Sequence, residues 1–174
     1  MENNSVTQQT NTTSKGFITP EAVLIHWQGH RKLTRQIISA FPEDKLFTYS
    51  IGGMRPFAAM VTEIMDIADA GMQDLFKDEP TPLSEMDHHS GKRFADSKEE
   101  MLAAWDKLTD KINALWPLIP VERFYQVMKA FGLYEGITFD LILYWIDNEI
   151  HHRSQAYVYL RSLGIEPPAF WDRH

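Results

Sequence analysis

The stretch Tyr144-Trp145-Ile146-Asp147-Asn148-Glu149-Ile150-His151-His152-Arg153-Ser154-Gln155 breaks an apolar helical run with a block of polar, metal-competent side chains. Laid on a helix, Leu141, Trp145, Asn148, His152, Gln155 and Tyr159 recur at alternating spacings of four and three, so they share one face. Trp145 and Tyr159 flank that face, yet its middle is Asn, His and Gln. Burying unpartnered amides and imidazole costs a few kcal/mol per group, so this polar break demands hydrogen-bond partners, water or a bound ligand.

Working outward, Thr138 reads as the N-cap of this last and longest helix, which runs through Leu163 to a natural stop at Gly164. Near the other end, Thr19-Pro20-Glu21 supplies a hydroxyl cap, a proline at the first helical position and an acid in the first turn. This predicts a helix to about Ala40, before Phe41-Pro42. The breaker Ile51-Gly52-Gly53 precedes Phe57, Met60, Val61, Ile64, Ile67 and Ala68 at helical spacing, a second helix ending near Phe76. Ser97 followed by Glu100 forms a capping-box pattern ahead of Met101, Leu102, Trp105, Leu108, Ile112 and Leu115, and this third helix stops before Pro117. Lys77 to Arg93 reads as a long connection in which His88 and His89 are solvated. Glu122 to Gly136 is a short strand or an irregular arm, since Arg123-Phe124-Tyr125-Gln126-Val127 alternates. Four long amphipathic segments with no convincing alternating strands predict an all-α four-helix bundle.

The 174 residues fit one domain over 17–174, preceded by a polar, disordered tail at 1–16. No apolar run approaches the roughly 20 residues needed to span a bilayer, and residues 1–15 lack the charged-then-apolar signal pattern, so the cytoplasm is the default location. The absence of cysteine removes disulfides, thiolate ligands and a cysteine nucleophile. A formal charge of −7 without a basic, aromatic-interleaved cluster argues against nucleic acid as a partner.

Asn148-Glu149-Ile150-His151-His152-Arg153-Ser154-Gln155, followed by Tyr159-Leu160-Arg161-Ser162-Leu163-Gly164 and Pro167-Pro168, resembles the C-terminal signature of the DinB/YfiT-like superfamily. Trp27 and Arg31, Phe41-Pro42-Glu43-Asp44-Lys45-Leu46 and Arg55-Pro56-Phe57 agree in outline, so the resemblance covers roughly residues 20–172. It implies a helical bundle with long crossover connections, commonly dimeric, holding a divalent metal through a His on the second helix and a His-x-x-x-His pair on the last. It also implies chemistry in which a thiol or water attacks a small molecule. Aligned on that pattern, Glu63 stands at the second-helix position, Asn148 at the first His of the pair and His152 at the second.

Two of the three usual imidazoles are thus replaced. A set of carboxylate, amide oxygen and one imidazole is harder than three imidazoles and shifts preference toward Mn, Fe(II) or Mg relative to Zn or Ni, or leaves the site without an ion. Two functional classes stay open. One is a metal-dependent transferase or hydrolase using Glu63, Asn148 and His152, with Arg153, Gln155 or His151 orienting a small substrate. The other is a non-catalytic member whose polar centre binds a small ligand or is a structural hydrogen-bond network. His151, four residues after Asp147, reads as half of a surface pair or of an alternative ligand register. His26 and His30 have ligand spacing but read as helix surface or bundle edge.

Overall fold

Helices dominate the computed structural model, which describes residues 17–90 and 95–173. The expected tail at residues 1–16 lies outside the described residues. Helix α1 spans Pro20–Ala40 and starts as its sequence predicts: the Thr19 hydroxyl accepts from the Ala22 N–H at 3.2 Å, and Pro20 fills a position whose N–H would have no partner. The single turn α2 (Glu43–Leu46) tucks Leu46 into the core. Helix α3 (Phe57–Asp74) is buried on most of its faces, and its Gly71 lies against the indole of Trp145.

Between α3 and helix α5 (Lys98–Leu115), the connection contains a further helical turn, α4 (Asp87–Ser90). His88 is not the solvated loop residue expected. Its backbone N and its ring Nδ1 both lie 2.7 Å from Asp66 Oδ2, because a buried carboxylate on α3 needs donors and the turn delivers two. The capping box of α5 forms in a shifted version: Ser97 Oγ accepts from Glu100 N at 3.1 Å, while the Glu100 carboxylate reaches back to Asp96 N at 2.9 Å.

The all-α expectation needs one correction. After a tight turn at Val121–Tyr125, strands β1 (Val127–Ala130) and β2 (Tyr134–Ile137) form an antiparallel hairpin with Val127 opposite Ile137 and Ala130 opposite Tyr134. The alternation at 123–127 therefore lies mostly in the turn. The hairpin closes through Phe131 (φ 56°) and Gly132 (φ 71°), and the left-handed Phe131 buries its ring. Helix α6 (Thr138–Ser162) begins without a side-chain cap, a second correction. Thr138 is its first residue, wholly buried, and its N–H and hydroxyl both donate to Gln126 O at 2.9 Å, pinning α6 to the hairpin. At the far end Gly164 takes φ 76° and stops the helix as expected.

Helix α1 packs on α5 and α6, and α3 packs on the same two helices, so the four long helices enclose one core. Its centre is aromatic: the Trp27 indole stands 6.0 Å from Trp116 and 6.3 Å from Trp145, and Phe41 stacks on Phe57 at 4.9 Å. No helix among the described residues is long and apolar enough to cross a membrane.

Candidate functional site

The polar break on α6 meets α3 at Glu63. His152 Nε2 lies 3.1 Å from Glu63 Oε1, and Asn148 Nδ2 donates to the same oxygen at 3.2 Å. The other carboxylate oxygen accepts from Arg55 Nη2 at 2.5 Å, and His152 Nδ1 sits 2.9 Å from Gln155 Oε1. Arg55 is itself placed by its backbone carbonyl, which accepts from the Tyr159 hydroxyl at 2.8 Å. The helical face read from the sequence is thus real, with Asn148, His152 and Gln155 in one polar cluster beside Glu63 and Tyr159 fixing Arg55. Burial alone would raise the Glu63 carboxyl, but hydrogen bonds from His152 and Arg55 outweigh it and hold the group well below the usual carboxylate range. Tyr144 is at the rim, its phenol pushed up by burial and by the Glu63 charge.

A second polar network lies one helical face away. Glu149, 1% exposed, accepts from the Trp27 indole at 3.2 Å and from the Thr34 hydroxyl at 2.6 Å, with the guanidinium groups of Arg31 and Arg153 each 3.9 Å off. Arg31, fully buried, donates to Thr109 and to the Trp105 carbonyl and lies over the Trp105 ring at 4.0 Å. Burial lowers its pKa to about 10 against the opposing pull of Glu149 and Asp106. Arg153 donates to His30 O at 3.1 Å and approaches His30 Nδ1 at 2.8 Å. His30 is therefore buried rather than at the helix surface or bundle edge, and its pKa is lowered to about 3 by burial, then by Arg153, His26 and Arg173.

A sequence model of the DinB family matches residues 8–173. The chain belongs to the DinB family. Two solved structures share the fold. A DinB-like protein, YjoA, of Bacillus subtilis is 17% identical, with a TM-score of 0.65 over 87% of this chain and 99% of that one. A DinB-like protein of Bacillus cereus ATCC 10987 is 14% identical, with a TM-score of 0.65 over 86% of this chain and 95% of its own. At these identities the likeness shows the fold alone. No curated protein matches.

Of the residues singled out on the DinB pattern, Glu63, Asn148, His152 and Gln155 come together, whereas Arg153 points into the Glu149 network and His151 is exposed beside the His152 ring. A divalent ion needs lone pairs that converge on one point. Here three donor-bearing groups converge instead on the carboxylate of Glu63, the Asn148 amide presents its nitrogen, and Arg55 already neutralises the charge. As arranged, this donor set does not fit a divalent ion. Among the described residues no group of three or more His, Asp or Glu is disposed to hold one.

Two contributors went unread in the sequence. Arg55 reaches Glu63 from the segment ahead of α3, at a separation of eight residues that corresponds to no helical neighbour relation. Glu149 did carry a signal, because it lies on the stripe Ile142, Trp145, Glu149, Arg153, Ala156 and Leu160, all of them buried.

Proposed function

We propose that this DinB-family protein is a four-helix bundle with long crossovers whose Glu63–Asn148–His152 centre binds a small polar molecule through hydrogen bonds. The observation that carries this reading is Asn148 Oδ1, a buried acceptor without a hydrogen-bond partner among the described residues, next to a carboxylate held ionised. A buried acceptor left unpaired costs about 1–3 kcal/mol, and a ligand N–H or O–H cancels that cost. Glu63 is the anchor for a second donor, and the exposed Tyr144 and half-exposed Arg55 give the ligand its way in. The helix arrangement supports the bundle, with α1 and α3 each facing α5 and α6. A homodimer, as the resemblance implies, in the cytoplasm, the default location for such a sequence, completes the reading; exposed Tyr125, Val127, Phe139 and Leu143 at one end offer the dimer an apolar face.

The family resemblance alone supports a second reading, a metalloenzyme holding Mn, Fe, Ni or Zn on Glu63, Asn148 and His152, which requires the Asn148 amide to turn over and Arg55 to leave Glu63. Protein purified without a histidine tag and incubated with each ion separates the two. The hydrogen-bonding reading expects no stoichiometric metal, together with polar compounds that raise the thermal midpoint of the native chain but not of Asn148→Ala. Stoichiometric metal that disappears in His152→Ala overturns it.

A further inference from the structure

A second cleft opens on the other side of α6, where the segment after Gly164 folds back along α1. Gly29 permits that return: a Cβ there would stand 3.0 Å from the Arg173 carbonyl oxygen. The cleft between this segment and α6 has a volume of about 670 Å³. Its lining includes apolar Phe170 and Trp171, each about two-thirds exposed, together with Arg153, Arg173 and Tyr157.

Among the described residues, the cleft offers Arg153 and Arg173 no matching carboxylate. Glu166, which also lines the cleft, is engaged by Arg161 in a two-pronged pair at 3.0 and 3.1 Å. Arg153 has only Glu149, 3.9 Å away in the core and shared with Arg31. Arg173 Nη1 lies 3.0 Å from His30 Nε2, an atom that is also 3.1 Å from His26 Nε2, while Arg153 Nη2 takes the other ring nitrogen. A neutral imidazole has one acceptor nitrogen and one N–H, so His30 cannot satisfy a guanidinium at each side. One of the two arginines needs a different acceptor. Close by, Tyr157 Oη is buried with no hydrogen-bond partner among the described residues.

We propose that this cleft binds a small organic monocarboxylate with an apolar body. The carboxylate accepts from Arg173 and from the Tyr157 hydroxyl in the positive field of Arg153, which frees His30 to donate to His26, and the body lies on Phe170 and Trp171. Charge-assisted hydrogen bonds of this kind are the strong ones, and planar carboxylate recognition is the arginine speciality.

Calorimetric titration of the full chain with 2-naphthoate tests the assignment, with neutral 2-naphthamide and inorganic phosphate as comparators. The expected result is saturable one-to-one binding of 2-naphthoate with a dissociation constant on the order of 100 µM, as suits so small a ligand. Arg173→Ala and Tyr157→Phe are each expected to weaken it about tenfold, in line with the loss of one hydrogen bond to a charged group. Their ligand-free thermal midpoints are expected to stay at the native value. Equal binding of 2-naphthamide removes the carboxylate from the recognition, and equal binding of phosphate removes the apolar body. Unchanged affinity in both variants places the ligand elsewhere; any of these three results overturns the proposal.

Discussion

The Trp27 indole on α1 donates to Glu149 Oε2 on α6 at 3.2 Å, joining the first long helix to the last through a carboxylate that solvent does not reach. Thr34 serves the other oxygen at 2.6 Å, and two arginines supply the charge balance from 3.9 Å. Such a centre is fragile to the loss of one member, because removing one partner leaves the others buried and unpaired.

Glu149→Gln keeps the shape but leaves Arg31 and Arg153 without a counter-charge in the core. Its unfolding free energy by urea titration is expected to fall by about 3–5 kcal/mol. A loss under about 1 kcal/mol would show that the network contributes little.

Gly71 sits where a side chain has no room. A Cβ there falls against three ring atoms of Trp145, the farthest, Cη2, at 2.7 Å, and Trp145 is itself walled in. The better helix propensity of alanine offsets up to about 1 kcal/mol. Overpacking typically costs about 1–3 kcal/mol. Gly71→Ala is therefore expected to lower the thermal midpoint; a midpoint at or above the native one contradicts the close approach.

Glu63 gives acid sensitivity of a definite sign. Its carboxyl is held below the ordinary 4.5, so the folded state binds its proton more weakly than the unfolded chain. The stabilisation it brings is complete above that ordinary value and is lost as pH falls toward the native one. In Glu63→Gln, the decline of stability between about pH 5 and pH 2 is expected to be shallower than in the native chain. Parallel acid profiles for the two proteins exclude this role for Glu63.

His30, lowered to about 3 in the folded chain, is expected to stay neutral across the range where an ordinary histidine takes up its proton near 6.5. Because the unfolded chain binds that proton first, His30 lowers stability progressively as pH drops below 6.5. Its ring resonances in a ¹H–¹³C NMR titration are expected to hold still between about pH 5 and 8. A His30 midpoint inside that window rules out the buried neutral imidazole.

Helix limits were legible because caps and stops are local chemistry: Thr19-Pro20, Ser97 with Glu100, and Gly164 each act within one turn. Thr138 misled for the opposite reason. Its hydroxyl has the cap chemistry, yet it is spent on Gln126 across the hairpin, a tertiary demand that no spacing reveals. The Glu63–Asn148–His152 cluster was readable from a helical face together with the resemblance. His30 was not, and Glu149 only through its place on an otherwise apolar stripe, because a charged or imidazole group in a helix reads as surface until its partners are known, and here they come from helices over a hundred residues apart.

The pinning of α6 bears on how the chain is made. Trp27, Arg31 and Thr34 are synthesised more than a hundred residues before Glu149, which engages all three, and the face of α3 that packs on α6 waits for the same helix. A chain halted before Thr138 therefore lacks the counter-charge of Arg31 on α6 and the face of α6 that covers α1 and α3. Closure of this part of the core waits on the synthesis of α6.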